Sequence, residues 1–320
     1  MSPNAETPPE GEVRDDHHDE QPENDRNPDK KRTRPPNKRK QPPKTQREGT
    51  RKSSRTTKSQ PSQLQLLKYM LSYDCESLCR PEDEQKAPHS AKPSNDMVTY
   101  TSGVMSPFQE LTCAVVLSRP ISHMLGLRTI RTIFNAPYEL TTAKKMAEAG
   151  NEKLHKVMWD ARTQHKGKTA DQLHYLADFI LEYYAGDGDE DGSRLKKVTD
   201  RDDVQAALDE IASGVKGMGP TASKIFRRRV QWLWPAAYPF IDDRSAKGLR
   251  EMGLPDGEDD LRTFVEENWS DCQDDKYQLA GKDEDEKARR AFVIVLERAT
   301  SATLEGKTDQ IMQAASAMGE

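Results

Sequence analysis

Between Gly214 and Lys224 the chain reads Gly-Val-Lys-Gly-Met-Gly-Pro-Thr-Ala-Ser-Lys, and Asp242 follows a short way downstream. Upstream, 202–211 repeats apolar residues at helical spacing (Val204, Ala207, Leu208, Ile211), and Ala222, Ile225, Phe226, Val230 and Leu233 do the same on the other side. Gly217 and Gly219 therefore fall at the tip of a tight turn between two helices. Glycine lets the backbone take positive φ and come close to a ligand, and Pro220 is pre-set for the first helical position. A Gly-x-Gly turn that feeds a helix N-terminus presents free amides and the positive end of the helix dipole, which suits a phosphate. Taken alone, such a turn is more often a plain helix–helix connection.

The neighbouring residues add to this reading. Gly217-Met-Gly-Pro-Thr-Ala-Ser223 resembles the hairpin of the endonuclease III-like, helix-hairpin-helix (HhH-GPD) superfamily of DNA glycosylases. The stretch 239–254, Pro-Phe-Ile-Asp-Asp-Arg-Ser-Ala-Lys-Gly-Leu-Arg-Glu-Met-Gly-Leu, resembles the family segment that carries the catalytic aspartate. Ser106-Pro-Phe-Gln-Glu-Leu-Thr-Cys-Ala-Val-Val-Leu-Ser118 is similar to its early core helix. The likeness runs from roughly Leu64 to Ala299 and implies a two-lobed helical fold that binds double-stranded DNA. It places Gly217, Gly219, Pro220, Thr221, Ser223, Lys224 and Arg119 at the DNA and makes Asp242 the catalytic group. The amides of Gly217, Gly219 and the first turn from Thr221 would hold a phosphate without reading sequence.

Departures from the family pattern limit the chemistry. Where bifunctional members carry a lysine this chain has Thr221, which cannot form a Schiff base, so lyase chemistry is not expected. Lys224 lies one turn further on and reads as a solvated or phosphate-contacting lysine. Only Cys272 remains where many members hold an iron–sulfur cluster, so no such cofactor is expected. Arg119-Pro120 replaces the glutamine that some members insert into the base stack. Asp242 could stabilise the oxocarbenium-like state of base excision and activate water. Asp242 or Asp243 would equally well cap the helix starting at Arg244. The sequence thus supports a monofunctional DNA glycosylase of base excision repair, with two alternatives: a non-catalytic hairpin module, and a nuclear interaction scaffold.

Composition bounds the rest. The chain has 320 residues, 33% hydrophobic, with a mean hydropathy of −0.95. Residues 1–60 are almost devoid of large apolar side chains and are expected to form a disordered tail, acidic to Asp29 and basic from Lys30 to Lys58. That basic block predicts nuclear localisation through an import receptor, added affinity for DNA, or both. Residues 59–320 carry 34 basic and 43 acidic side chains, so a DNA-binding face must gather its cations locally; Lys216, Lys224, Arg227, Arg228 and Lys247 are the candidates. No apolar run is long enough for a membrane span, and no secretory leader is read after Met1. The protein is expected to act as a monomer.

Helical patterning predicts an all-α domain over 61–302 with a C-terminal tail over 303–320. The expected helices cover 62–73, 106–118, 122–134, 142–149, 151–159, 170–184 and 284–302, the last packing on the first, with a loop over 82–95. Cys75 and Cys79 form half a zinc site, with His89 a third ligand at most, so no metal is expected. Asp187-Gly-Asp-Glu-Asp-Gly192 opens like a calcium loop, but its closing glutamate would fall on Val198, so it reads as a flexible acidic insertion. His155, His165 and His174 read as surface or packing residues. Trp159, Trp232 and Trp234 read as core or hinge aromatics, and Ile225 and Phe226 as core.

Overall fold

A computed structural model describes residues 60–85, 97–101, 105–273 and 279–318. The charged tail and His89 lie outside the described residues. In chain order the elements are α1 (Gln63–Met70), α2 (Tyr73–Cys79), α3 (Glu82–Gln85), α4 (Pro107–Leu117), α5 (His123–Phe134), α6 (Ala143–Asp160) and α7 (Lys166–Tyr183). There follow α8 (Lys196–Thr199), α9 (Val204–Gly214), α10 (Pro220–Val230), α11 (Asp243–Met252), α12 (Glu258–Cys272), α13 (Glu284–Glu305) and α14 (Thr308–Ala317). Among the described residues no strand forms beyond one isolated bridge between Gly186 and Asp189, so the fold is all-α as expected.

Local chemistry sets most of the helix starts. Ser62 and Ser106 each close a capping box with the glutamine three residues on, and Ser72, Ser122, Thr142, Asp203 and Asp283 cap their helices through a side-chain oxygen. Gly150, at φ 67°, splits α6 into two pieces, as its place between two expected helices foretold. Helix α4 is buried on nearly every side from Pro107 to Val116, the mark of a central core helix.

The helices sort into two hydrophobic cores. Phe108, Leu111, Ile130, Leu173, Ile211 and Phe226 belong to one, drawn from α4–α7, α9 and α10. Leu67, Met70, Leu249, Trp269, Phe292 and Ile311 belong to the other, drawn from α1 and α11–α14. The second lobe thus joins segments from both sides of the first. Helix α11 crosses α13 at Gly248, where a Cβ would stand 2.6 Å from the Ala299 carbonyl oxygen.

Several expectations change. Residues 303–318 are not a tail: they complete α13 and form α14, because Ile311 and Ala315 bury against α1. Helix α12 was not foreseen, although Leu261, Val265, Trp269 and Cys272 line one face of it. The segment 187–192 is no loose insertion. Asp189 is buried and accepts the Arg194 and Lys196 amides at 2.9 and 3.0 Å, which organises the turn around one carboxylate. Trp232 and Trp234 are core residues, but Trp159 is 66% exposed, with Lys166 over its ring.

The two lobes meet at a polar seam. Arg228 of α10 is buried and donates to Asp242 Oδ2 at 2.5 Å and to Glu297 Oε1 of α13 at 2.6 Å. Beside it, Arg229 makes a two-pronged bond to buried Glu110 of α4 at 2.8 and 3.0 Å and lies over the Tyr100 ring. Burial pushes the Asp242 and Glu297 carboxyls up, but the guanidiniums hold both below the ordinary carboxylate range. Their stabilisation is therefore full above the unfolded range near pH 4 and is lost as pH falls through the depressed folded values. Arg228→Met, which strands buried Asp242 and partly buried Glu297, should cost about 3–5 kcal/mol at pH 7. The gap to wild type in urea midpoints should narrow toward pH 4, as the stranded groups take up protons.

Candidate nucleic-acid interface

Helix α9 ends at Gly214, and Val215 and Met218 bury under the turn, bonded from the Met218 amide to the Val215 carbonyl at 3.0 Å. Those two apolar anchors leave Lys216, Gly217 and Gly219 facing outward. Gly217 takes φ 84°, which favours glycine, and a Cβ there would stand 2.5 Å from the movable end of Gln172, its Nε2. Gly219 differs. Its backbone is extended, and a Cβ would meet nothing within 4 Å. What Gly219 supplies is open space in front of the α10 N-terminus.

Pro220 opens α10, and no side chain caps it. The first turn closes with the Ser223 amide on the Gly219 carbonyl at 3.2 Å, so the Thr221 and Ala222 amides precede the first intrahelical bond. Pro220, Thr221 and Lys224 are exposed around this end, and Ser223 is half-buried. Lys224 reaches across to Asp243 at 2.5 Å, tying the hairpin helix to the start of α11. Lys216 stands 5.2 Å above the Tyr175 ring.

Asp242, not Asp243, caps α11. Its Oδ1 accepts the Arg244 and Ser245 amides at 2.9 and 3.2 Å, and its Oδ2 accepts the Ser245 hydroxyl at 3.0 Å and Arg228. Thr300 Oγ1 lies 3.0 Å behind Ser245 Oγ. Every lone-pair direction of the carboxylate is taken, and the residue is 5% exposed. A cavity of about 30 Å³ lies along the same seam, lined by Tyr100, His123, Arg229 and Glu297, with room for a water molecule.

The structure thus brings Gly217, Gly219, Pro220, Thr221, Ser223 and Lys224 onto one exposed end and sets Asp242 behind it in the seam. Arg119 stands elsewhere, at the end of α4. Its Nε and one Nη are buried without a hydrogen-bond partner, and burial lowers its pKa. Arg228, expected on a basic face, is instead a buried structural cation, and Arg227 is half-buried, over Phe240 and bonded to Gln205. The signal was legible, since Arg228 and Arg229 follow Ile225 and Phe226 at helical spacing on the buried face. Ser245, Glu297 and Gln172, which the sequence did not single out, complete the surroundings. No group of three or more metal-ligating side chains gathers among the described residues, and no described helix is long and apolar enough to cross a membrane.

Compared with models of known families, with curated proteins and with solved structures, the chain matches none.

The two glycines should separate cleanly on substitution. Gly217→Ala forces a strained φ and displaces the Gln172 carboxamide, and the strain should cost about 1–3 kcal/mol in urea unfolding. Gly219→Ala should change stability by less than about 1 kcal/mol, because both its φ and its surroundings admit a methyl group.

Proposed function

We propose that the chain is a helix-hairpin-helix DNA-binding protein of glycosylase-like architecture that grips the backbone of double-stranded DNA through the 217–224 turn. One observation carries this reading: the α10 N-terminus is uncapped, open in front of Gly219 and flanked by Lys216 and Lys224. Unpaired amides at a positive dipole end are matched to a phosphate oxygen and indifferent to base sequence. In this reading Asp242 serves the fold, as cap and counter-ion, and the basic tail segment adds non-specific affinity and directs the protein to the nucleus.

A second reading, a monofunctional glycosylase of base excision repair, is favoured by the ionic state of Asp242. Its carboxyl stays below the ordinary range and stands just behind the hairpin, where an anion would stabilise a sugar cation. Turnover would require Arg228 to release it and the seam to open, since the present cavity does not admit a base. Thr221 has no amine to attack the sugar, so this reaction would release the base and leave an abasic strand.

Binding and catalysis are separable in one set of measurements. Fluorescence anisotropy with a labelled duplex should give an affinity that falls with salt, by a log–log slope of about −0.9 per phosphate neutralised. Gly219→Ala should weaken that binding with the helical circular-dichroism signal intact, and removal of residues 1–60 should flatten the slope. Unchanged binding in Gly219→Ala would remove the hairpin as the contact. On duplexes bearing uracil, oxidised, alkylated or mismatched bases, the binding reading expects no alkali-labile sites. A glycosylase would produce them, would lose about a hundredfold in rate in Asp242→Asn, and would give no borohydride-trapped complex.

A further inference from the structure

A groove of about 710 Å³ runs beside the hairpin along α7, lined by Asn151, Lys168, Gln172, Tyr175, Lys216 and Gly217, with Asp171, His174 and Asp178 on its walls. Two independent features in it lack a purpose within the chain. Gln172 is buried against the Gly217 turn, yet both its carboxamide oxygen and nitrogen are without a hydrogen-bond partner. A buried amide left in that state is costly, and a matching donor–acceptor pair would recover the loss. Tyr175 is a large aromatic side chain, 54% exposed, with Lys216 held over one face of its ring, which leaves the other face for a base.

The chemistries converge on one ligand class. An exposed tyrosine offers a face to any base, and the Gln172 carboxamide, once the Gly217 turn that covers it shifts, offers the paired donor and acceptor that complement a base edge. Lys216 and Lys168 stand at the same groove to meet phosphates. The acidic groups do not oppose this strongly. Asp171 is engaged by Asn151 at 2.7 Å and His155 at 3.5 Å, and Asp178 by His174 at 3.6 Å. Gly217 belongs both to the hairpin and to the groove lining, so a strand held at the α10 N-terminus is delivered directly to Tyr175.

We infer that this groove binds an unpaired nucleotide of the DNA held by the hairpin, its base stacked on Tyr175 and its edge hydrogen-bonded by Gln172. The inference rests on the hairpin reading for how the strand arrives, but not for the chemistry of the groove. It makes the preferred ligand a junction between duplex and single strand rather than an uninterrupted duplex.

The test compares blunt duplex, the same duplex with a short single-stranded overhang carrying 2-aminopurine, and the single strand alone, using full-length protein. The overhang should raise affinity by about tenfold and quench the 2-aminopurine. Tyr175→Ala should abolish both effects while blunt-duplex affinity is unchanged, and Gln172→Leu should keep the quenching but lose discrimination between overhang bases. Equal affinity for blunt and overhang duplexes, or an overhang effect that survives Tyr175→Ala, overturns the groove and leaves the hairpin standing. Binding of the single strand without the duplex supports the groove and overturns the hairpin. Binding of none of the three overturns both.

Discussion

A single guanidinium, that of Arg228, sits out of water between carboxylates of two different helices, Asp242 at the start of α11 and Glu297 in α13. Stripping three charges of water is expensive, and the arrangement is tolerable only because each is met by another. That requirement fixes the geometry of the lobe contact. Arg228 rides on the hairpin helix of one lobe, and its partners belong to the other. Gln231, one turn on, repeats the principle with neutral groups, exchanging bonds with the Phe240 amide and carbonyl at 2.8 and 3.0 Å. The hairpin is therefore held by its far end while its near end is left free to meet a ligand.

This coupling explains why the segment around Asp242 admits two readings. A carboxylate at a helix start beside an uncapped glycine turn is the arrangement the glycosylase reading needs. The same carboxylate, filled by two amides, a hydroxyl and a guanidinium, is also a complete structural device. Local sequence cannot separate these roles, since Asp before a helix satisfies both. What separates them is Arg228, and its two partners lie 14 and 69 positions away along the chain.

The legible parts of the fold were those governed by neighbours in sequence. Ser106 followed by Pro107 announced α4, Gly150 announced the break in α6, and the two glycines with Pro220 announced the turn before α10. Helix α12 was hidden because Glu258, Asp259, Asp260, Glu266 and Glu267 obscure a stripe of four apolar residues. Helix α14 was hidden because its anchors, Ile311 and Ala315, are few and small. Of the site, the exposed residues were legible from the Gly-x-Gly pattern. Buried Arg228 was misassigned because a run of three cations reads as surface unless its phase against Ile225 and Phe226 is followed. The unsatisfied Gln172 had no signal in the sequence, since its meaning comes from Gly217, which folds back over it.

The way the second lobe is assembled has a consequence for how the chain matures. Gln63 bonds the Gly253 carbonyl across 190 positions, and Arg298 bonds the Met70 carbonyl across 228. A ribosome thus releases α1 long before the helices that cover it exist, whereas the central lobe has its whole core once Trp234 and Ala237, just after α10, have emerged. The order of synthesis then imposes an order of folding: the central lobe first, with Leu66, Leu67 and Met70 waiting in water until α12–α14 arrive. During that interval the early helix exposes apolar side chains that, in the finished molecule, are among its best protected.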